Sequence, residues 1–111
     1  MERAHLYLWL TTIIIRSVAY GKKITEVDHK RVVDHVKPVF NDTFLMTHGK
    51  KYSEYVCLVT RAYSDYLIKI EKPIAGIAQI MKAIKHCRES EEEVSALHNN
   101  FAMLCLKANC F

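Results

Sequence analysis

The pattern of apolar and polar positions along the chain is that of a series of amphipathic helices. Its clearest section covers residues 52–70, where apolar side chains recur at spacings of one, three and four: Tyr52, Tyr55, Val56, Val59, Ala62, Tyr63, Tyr66, Leu67 and Ile70. This spacing predicts a helix with a wide apolar face. Lys72 and Pro73 end it, and Pro73 fits the first turn of a following helix because its missing amide proton would have no partner there.

An earlier apolar segment predicts a first helix over residues 4–20. Gly21 follows it, at the position of a left-handed C-terminal cap. Residues 11–15 are all β-branched threonines and isoleucines, which have a low intrinsic preference for helix. Tertiary packing therefore has to favour the helix here. The stripe expected to face the core consists of Leu6, Leu10, Ile13 and Ile14, followed by Ser17.

The second helix is predicted to begin at Thr25, whose hydroxyl can accept a hydrogen bond from the amide of Asp28. Val32, Val33, Val36 and Phe40 should lie on its buried side. Pro38 predicts a kink or an end, since proline clashes with the preceding turn. Helical structure is expected to resume or continue through Phe44 as far as Thr47, and residues 48–50 predict a turn.

The last part of the chain predicts two more helices. The first has the expected stripe Ile74, Ile77, Met81 and Ile84, with Gly76 and Ala78 as small residues that let a neighbouring helix approach. The second begins at a capping box formed by Ser90 and Glu93. Its stripe is Val94, Leu97, Phe101, Leu104, Cys105 and Ala108. We therefore predict an all-α array of about five antiparallel amphipathic helices, one region over residues 1–111, of the kind found in TPR-like helical-repeat solenoids.

Composition narrows the class of protein further. Half of the 111 residues are hydrophobic, which excludes an intrinsically disordered chain, and this length supports one modest core rather than a large cleft between lobes. The net charge of +4 is small, and the basic pairs at 22–23, 30–31 and 50–51 lie next to acidic residues. We interpret these pairs as solvated helix faces rather than as a nucleic-acid site.

The apolar run of residues 6–15 is too short to cross a membrane, which takes about 20 such residues. A secretory signal remains an alternative, because Arg3 precedes the run and Ser17 and Ala19 resemble a cleavage site. Arg16, which separates the run from that site, argues against it. We expect a buried amphipathic helix and no membrane partner.

The residues capable of chemistry do not form a site in the sequence. Zinc sites on helices need histidines four residues apart with an acid nearby, or compact Cys/His spacing, and neither occurs. The four cysteines form no Cys-x-x-Cys pair, so reduced and largely buried thiols are expected. His86 and Cys87 are adjacent, but this adjacency alone does not indicate a reactive, catalytic thiolate. We predict no enzyme, no metal and no cofactor.

Two linked segments of the C-terminal half resemble a known family, the third subunit of the COP-nine signalosome. One is the proline-led stretch from Pro73 to Ile84, and the other begins at Leu97 and His98 and contains a Leu-Cys-Leu triplet. The residues that carry the resemblance are Pro73, Gly76, Ala83, Ile84, Leu97, His98, Leu104, Cys105, Leu106 and Ala108. The start of the chain, with His5 and Leu6, resembles the family more loosely.

The resemblance implies the N-terminal helical-repeat part of a scaffold subunit, a fragment without the family's C-terminal PCI winged-helix module. It also implies a protein of cytoplasm and nucleus whose partners are other signalosome subunits. The complex removes a ubiquitin-like modifier from cullin-RING ubiquitin ligases, and its zinc site lies on a different subunit. The chain ends on an apolar residue, so Phe101 and Phe111 are the candidate interaction end.

Two classes of function follow from these observations. The first is a non-catalytic scaffold, with an unrelated helical-repeat adaptor or a proteasome-lid-like PCI subunit as nearby alternatives. The second is a small basic nucleic-acid-binding protein, in which tyrosines of residues 52–66 would stack on bases. Helical packing is the simpler explanation of those tyrosines, and a small-molecule substrate is not expected.

Overall fold

The computed structural model describes residues 3–86 and 91–108, and the side chains of residues 91–94 are not part of the description. Every regular element in these ranges is an α-helix, which confirms the all-α prediction. The helices are α1 (Arg3–Ala19), α2 (Glu26–Val36), α3 (Asp42–His48), α4 (Ser53–Lys69), α5 (Ile74–His86) and α6 (Glu91–Lys107). None of them is long and apolar enough to cross a membrane.

Helix α4 is the centre of the molecule. It packs against α1, α5 and α6, while α2 packs on α1 and α3 on α5. The predicted wide apolar face is confirmed, since Val56, Val59, Ala62, Tyr63, Tyr66 and Leu67 are all buried. The molecule measures 37 × 35 × 21 Å, so its shortest dimension is about two helix diameters, as in a two-layer helical array.

The region predicted as one kinked or interrupted helix contains two separate helices, so the described residues form six helices rather than five. The capping box of α2 is confirmed: Thr25 Oγ1 accepts from the amide of Asp28 at 3.1 Å, and the Asp28 carboxylate accepts from the amide of Thr25 at 3.5 Å. Helix α2 ends at Val36, two residues before Pro38. Asn41, which the sequence analysis missed, caps α3 by accepting from two backbone amides.

The predicted orientation of α1 is wrong. Leu6, Leu10 and Ile13 are exposed, and the helix buries its other side. The residues on the buried side are Leu8, Thr11, Thr12, Ile15 and Val18. The threonines can be buried because Thr11 donates to the carbonyl of Tyr7 and Thr12 to that of Leu8, so neither hydroxyl lacks a partner.

The left-handed cap predicted at Gly21 is also wrong, because no glycine in the described residues has a positive φ. The end of α1 is stabilised from α4 instead. The ammonium group of Lys69 donates to the carbonyl of Ala19, one of those that a helix C-terminus leaves without an intrahelical partner, and to that of Gly21 just beyond the helix. This contact also joins the ends of the two helices.

Helix α5 likewise buries a different face from the one predicted. Gly76, Ile80 and Ala83 are buried, whereas Ile74 and Met81 are exposed. Gly76 permits close packing as expected: a Cβ at this position would lie 2.5 Å from Leu67 Cδ1 and 3.1 Å from Leu104 Cδ1. Ala78, the other predicted small contact residue, is exposed. On α6, Leu97, Leu104 and Cys105 are buried as predicted.

A non-glycine residue occupies the left-handed position after α4. Glu71 has φ 61°, its amide donates to the carbonyl of Ile68, and the amide of Lys72 donates to that of Leu67. These two hydrogen bonds define a Schellman motif, in which glycine is the favoured residue because it has no Cβ to clash.

We expect Glu71→Gly to stabilise the fold by about 0.5–1 kcal/mol, since it removes the left-handed strain at some cost in unfolded-state entropy. The measurement is urea unfolding followed by far-UV circular dichroism. Glu54→Gly, in the first turn of the same helix, is the matched control and should destabilise. A stabilisation by both substitutions, or by neither, would contradict this account of the cap.

Candidate protein-interaction surfaces

The residues that carry the family resemblance converge where α4, α5 and α6 meet. Four of them are buried there: Gly76, Ala83, Leu97 and Leu104. Cys105 is also buried, Ile84 and Ala108 are half-buried, and Pro73 directly precedes α5. His98 and Leu106 are exposed. Most of the motif therefore builds the helix packing, and two of its members are available at the surface.

A shallow apolar groove runs between α5 and α6, and we call it the α5–α6 groove. It has a volume of about 250 Å³ and is lined by Met81, Ile84, Lys85, His98 and Phe101. Of the two residues predicted as the interaction end, Phe101 lies in this groove, half-buried, and Phe111 lies outside the described residues. The methionine, 57% exposed, is the most accessible apolar side chain of the lining.

Other large apolar side chains of α5 and α6 also face solvent. Ile74 of α5 is exposed, as are Met103 and Leu106 of α6. Leu106 follows the buried Leu97 by nine positions, which at 100° per residue is half a turn around the helix. Helix α6 therefore has apolar residues on its outer side as well as on its buried one. Exposed apolar patches of this kind mark protein–protein contact surfaces.

A second exposed apolar surface lies on α1. Its residues, which we call the α1 outer face, are Leu6, Trp9, Leu10 and Ile13. The Trp9 ring contacts Tyr55 of α4 edge-on, with centroids 6.5 Å apart, so one edge of this face contacts the central helix. Leu6, Leu10 and Ile13 were predicted to face the core, and Trp9 was not singled out.

Next to the α1 outer face is a cleft of about 530 Å³ between the last turn of α1 and the second half of α4. We call it the basic cleft, since Arg16, Arg61 and Lys69 outnumber its one acid, Asp65. Tyr20 at its rim is 86% exposed. Sequence reasoning missed this cleft because its charges come from two helices separated by more than forty residues.

Five of the six histidines, all except the exposed His98, contact neighbouring aromatic or polar groups. His5 packs against Tyr52 and Tyr55, with ring centroids 5.8 and 4.4 Å apart. His29 Nδ1 lies 2.7 Å from the hydroxyl of Tyr66, in a cleft of about 570 Å³ beside α2. His86 Nε2 lies 3.3 Å from Asp42 Oδ1, linking α5 to α3. No group of His, Cys, Asp and Glu within the described ranges is arranged to hold a metal ion.

The tyrosines considered for base stacking belong mainly to the core. Tyr63 and Tyr66 are buried, and burial raises the pKa of both phenols above the ordinary value. Burial likewise raises the pKa of Tyr7, partly offset by Thr11, and the Tyr7 hydroxyl donates to the carbonyl of His35 at 2.6 Å. The rings of these three tyrosines pack between α1, α2 and α4 and present no stacking platform to solvent.

Some predicted features lie outside the described residues. They are the capping serine Ser90, the thiols of Cys87 and Cys110, and Phe111; the side chains of Glu93 and Val94 are likewise not described. Of the other two thiols, Cys57 is half-buried and Cys105 buried, as expected.

Comparison with known proteins gives one family. A family model described as COP9 signalosome complex subunit 3, N-terminal helical repeats, matches residues 8–111. Searches of curated proteins and of solved structures gave no match. The matched range begins inside α1 and includes all ten motif residues of the C-terminal half, whereas His5 and Leu6 lie before it. Because it covers nearly the whole chain and agrees with the all-helical architecture, the chain belongs to the family of N-terminal helical repeats of COP9 signalosome complex subunit 3.

Proposed function

We propose that this chain is a non-catalytic scaffold region of the COP9 signalosome, whose partners are other subunits of that complex. In this role it supports the removal of a ubiquitin-like modifier from cullin-RING ligases while the zinc isopeptidase site lies on a different subunit. Cytoplasm and nucleus are the compartments that the proposal implies. The observation that carries it is the family match over residues 8–111.

The α5–α6 groove supports the proposal as its docking surface. It is apolar, and it lies between two of the three helices whose junction the motif residues build. A partner side chain placed in the groove would remove apolar surface from water at about 25 cal/mol for each Å². Lys85 and His98 at its edge suit the polar rim that surrounds the apolar centre of a protein interface.

We expect Met81→Glu to weaken binding to the remaining signalosome subunits by roughly tenfold or more, since it places a charge in the apolar centre of the contact. The measurement is surface plasmon resonance of the chain against a recombinant complex assembled without subunit 3. Met46→Glu on α3 is the matched control, because Met46 is 73% exposed and is not one of the residues lining the groove.

The two variants separate the possible results. Loss of binding with Met81→Glu and retention with Met46→Glu would support the docking surface. Failure of the unmodified chain and of full-length subunit 3 to bind the other subunits would contradict the scaffold function itself. Equal effects of the two substitutions would place the contact elsewhere.

A further inference from the structure

The α1 outer face is a large apolar surface on a helix whose other side is fully packed. Leu6, Trp9, Leu10 and Ile13 are each between 45 and 49% exposed. They recur at spacings of three and four, so they form a continuous stripe about two turns long. A stripe of four large apolar side chains exceeds the scattered exposure that a soluble surface normally shows.

The same stripe continues into the basic cleft. Arg16 follows Ile13 by three residues and Tyr20 follows it by seven, so both lie on the exposed side of α1. Arg61 faces the cleft from α4. The ammonium group of Lys69 is already held by carbonyls at the end of α1. Neither guanidinium forms an ion pair anywhere in the part of the chain that the structure describes.

Within the described residues, the acids lining the cleft do not balance its basic side chains. Asp65 is the single acid lining the cleft against three basic side chains, so the cleft has an excess of two positive charges at neutral pH. The two arginines offer planar donor groups that pair with carboxylates in a bidentate manner. An apolar stripe that ends at two available guanidinium groups is complementary to a ligand that is apolar along its length and acidic at one end.

We propose that the α1 outer face and the basic cleft together bind an amphipathic helix of another protein, with acidic residues in one terminal turn of that helix. The distance along α1 from Leu6 to Arg16 is about 15 Å, which is the length of about ten residues of a partner helix. Its apolar side covers the stripe, and its carboxylates reach Arg16 and Arg61. The proposal goes beyond the function above, because this surface belongs to α1 and α4 and shares no residue with the α5–α6 groove.

Trp9 makes the proposal directly measurable, since it is the only tryptophan of the chain and lies within the stripe. The probes are two synthetic helical peptides of about four turns with leucines at helical spacing, three glutamates in the first turn of one and in the last turn of the other. We expect at least one of them to shift the Trp9 emission to shorter wavelength on binding. A third peptide, with lysines in place of all the glutamates, should not bind.

Charge reversal in the cleft tests the role of the arginines. We expect the double variant Arg16→Glu/Arg61→Glu to lose roughly tenfold or more of the peptide affinity. The matched control Arg31→Glu/Lys50→Glu makes the same change in net charge at exposed positions of α2 and the α3–α4 turn, and should bind as the unmodified chain does. If the double variant does not fold, as judged by circular dichroism, Arg16→Gln/Arg61→Gln replaces it.

Several results would overturn the proposal. They are failure of both acidic peptides to bind, equal binding of the lysine peptide, and equal loss in the control variant. Self-association of the chain that Trp9→Glu abolishes would also overturn it, since the occupant would then be a second copy. All these measurements use the purified chain and peptides, so their outcome is independent of whether the chain binds the signalosome.

Discussion

Tyr66→Ala should destabilise the fold by about 3–5 kcal/mol, as truncation of large buried aromatic residues does. The Tyr66 side chain is fully buried on the central helix. Its ring stacks with those of His29 and Tyr63, at centroid distances of 5.8 and 6.4 Å, and its hydroxyl meets His29 Nδ1 at 2.7 Å. Since small domains are stable by only about 5–15 kcal/mol, this loss leaves little net stability.

Two companion substitutions separate the ring from its hydroxyl. Tyr66→Phe keeps the packing and should cost only about 1 kcal/mol, the net value of a hydrogen bond. Tyr20→Ala, at a residue that is 86% exposed, should change the stability by less than about 0.5 kcal/mol. Urea unfolding measures all three. A Tyr66→Ala variant no less stable than Tyr66→Phe would refute the position of Tyr66 at the centre of the core.

Leu104→Ala is expected to cost about 2–5 kcal/mol, because it opens a cavity where α4, α5 and α6 meet. Leu104 is fully buried, and its Cδ1 would lie 3.1 Å from a Cβ at Gly76, so the neighbouring backbone is close and already tightly packed. The surroundings can therefore relax only partly into the space that the truncation leaves.

Leu106→Ala is the matched control on the same helix. Leu106 is 58% exposed, and its truncation should change the free energy of unfolding by less than about 0.5 kcal/mol. The two substitutions therefore distinguish two kinds of motif residue: Leu104, which packs the helices together, and Leu106, which is available for contact. Similar losses from both truncations, measured by thermal unfolding, would mean that α6 is rotated from the orientation described.

The helices and their ends were largely predictable from the sequence because the signals there are local. Thr25 with Asp28 forms the predicted capping box, and proline ends or precedes a helix at Pro38 and Pro73 as expected. In α4 the large apolar side chains share one wide face, so that face was predicted correctly, although the helix also buries Ser53, Thr60 and Ser64. Each of these features depends on residues within a few positions of one another.

Which side of a helix is buried was predictable only where the two sides differ in polarity. Helix α1 is apolar on both sides, and its buried side includes Thr11 and Thr12, whose hydroxyls bond to carbonyls of their own helix. Periodicity therefore selected the stripe with larger side chains, which is the exposed one. In α5 the buried side is defined by Gly76 and Ala83, small residues that contribute little to a hydrophobic pattern but allow close helix approach.

The candidate surfaces were harder to predict, because they are formed by residues of different helices that meet only in the folded chain. Phe101 was singled out as part of an interaction end and does line the α5–α6 groove. The basic cleft, by contrast, depends on Arg16 and Arg61 meeting across α1 and α4, a long-range pairing without a local signal. The left-handed conformation of Glu71 was equally hidden, since the residue is not a glycine.

Docking of this chain with other signalosome subunits through the α5–α6 groove, as proposed above, can be tested by hydroxyl-radical footprinting. The oxidation of a methionine side chain depends on its exposure, and Met81 is 57% exposed in the groove while Met46 is 73% exposed on α3. We expect assembly with the other subunits to lower the oxidation of Met81 severalfold and to leave that of Met46 unchanged. Unchanged oxidation of Met81 in the assembled complex would contradict this proposal.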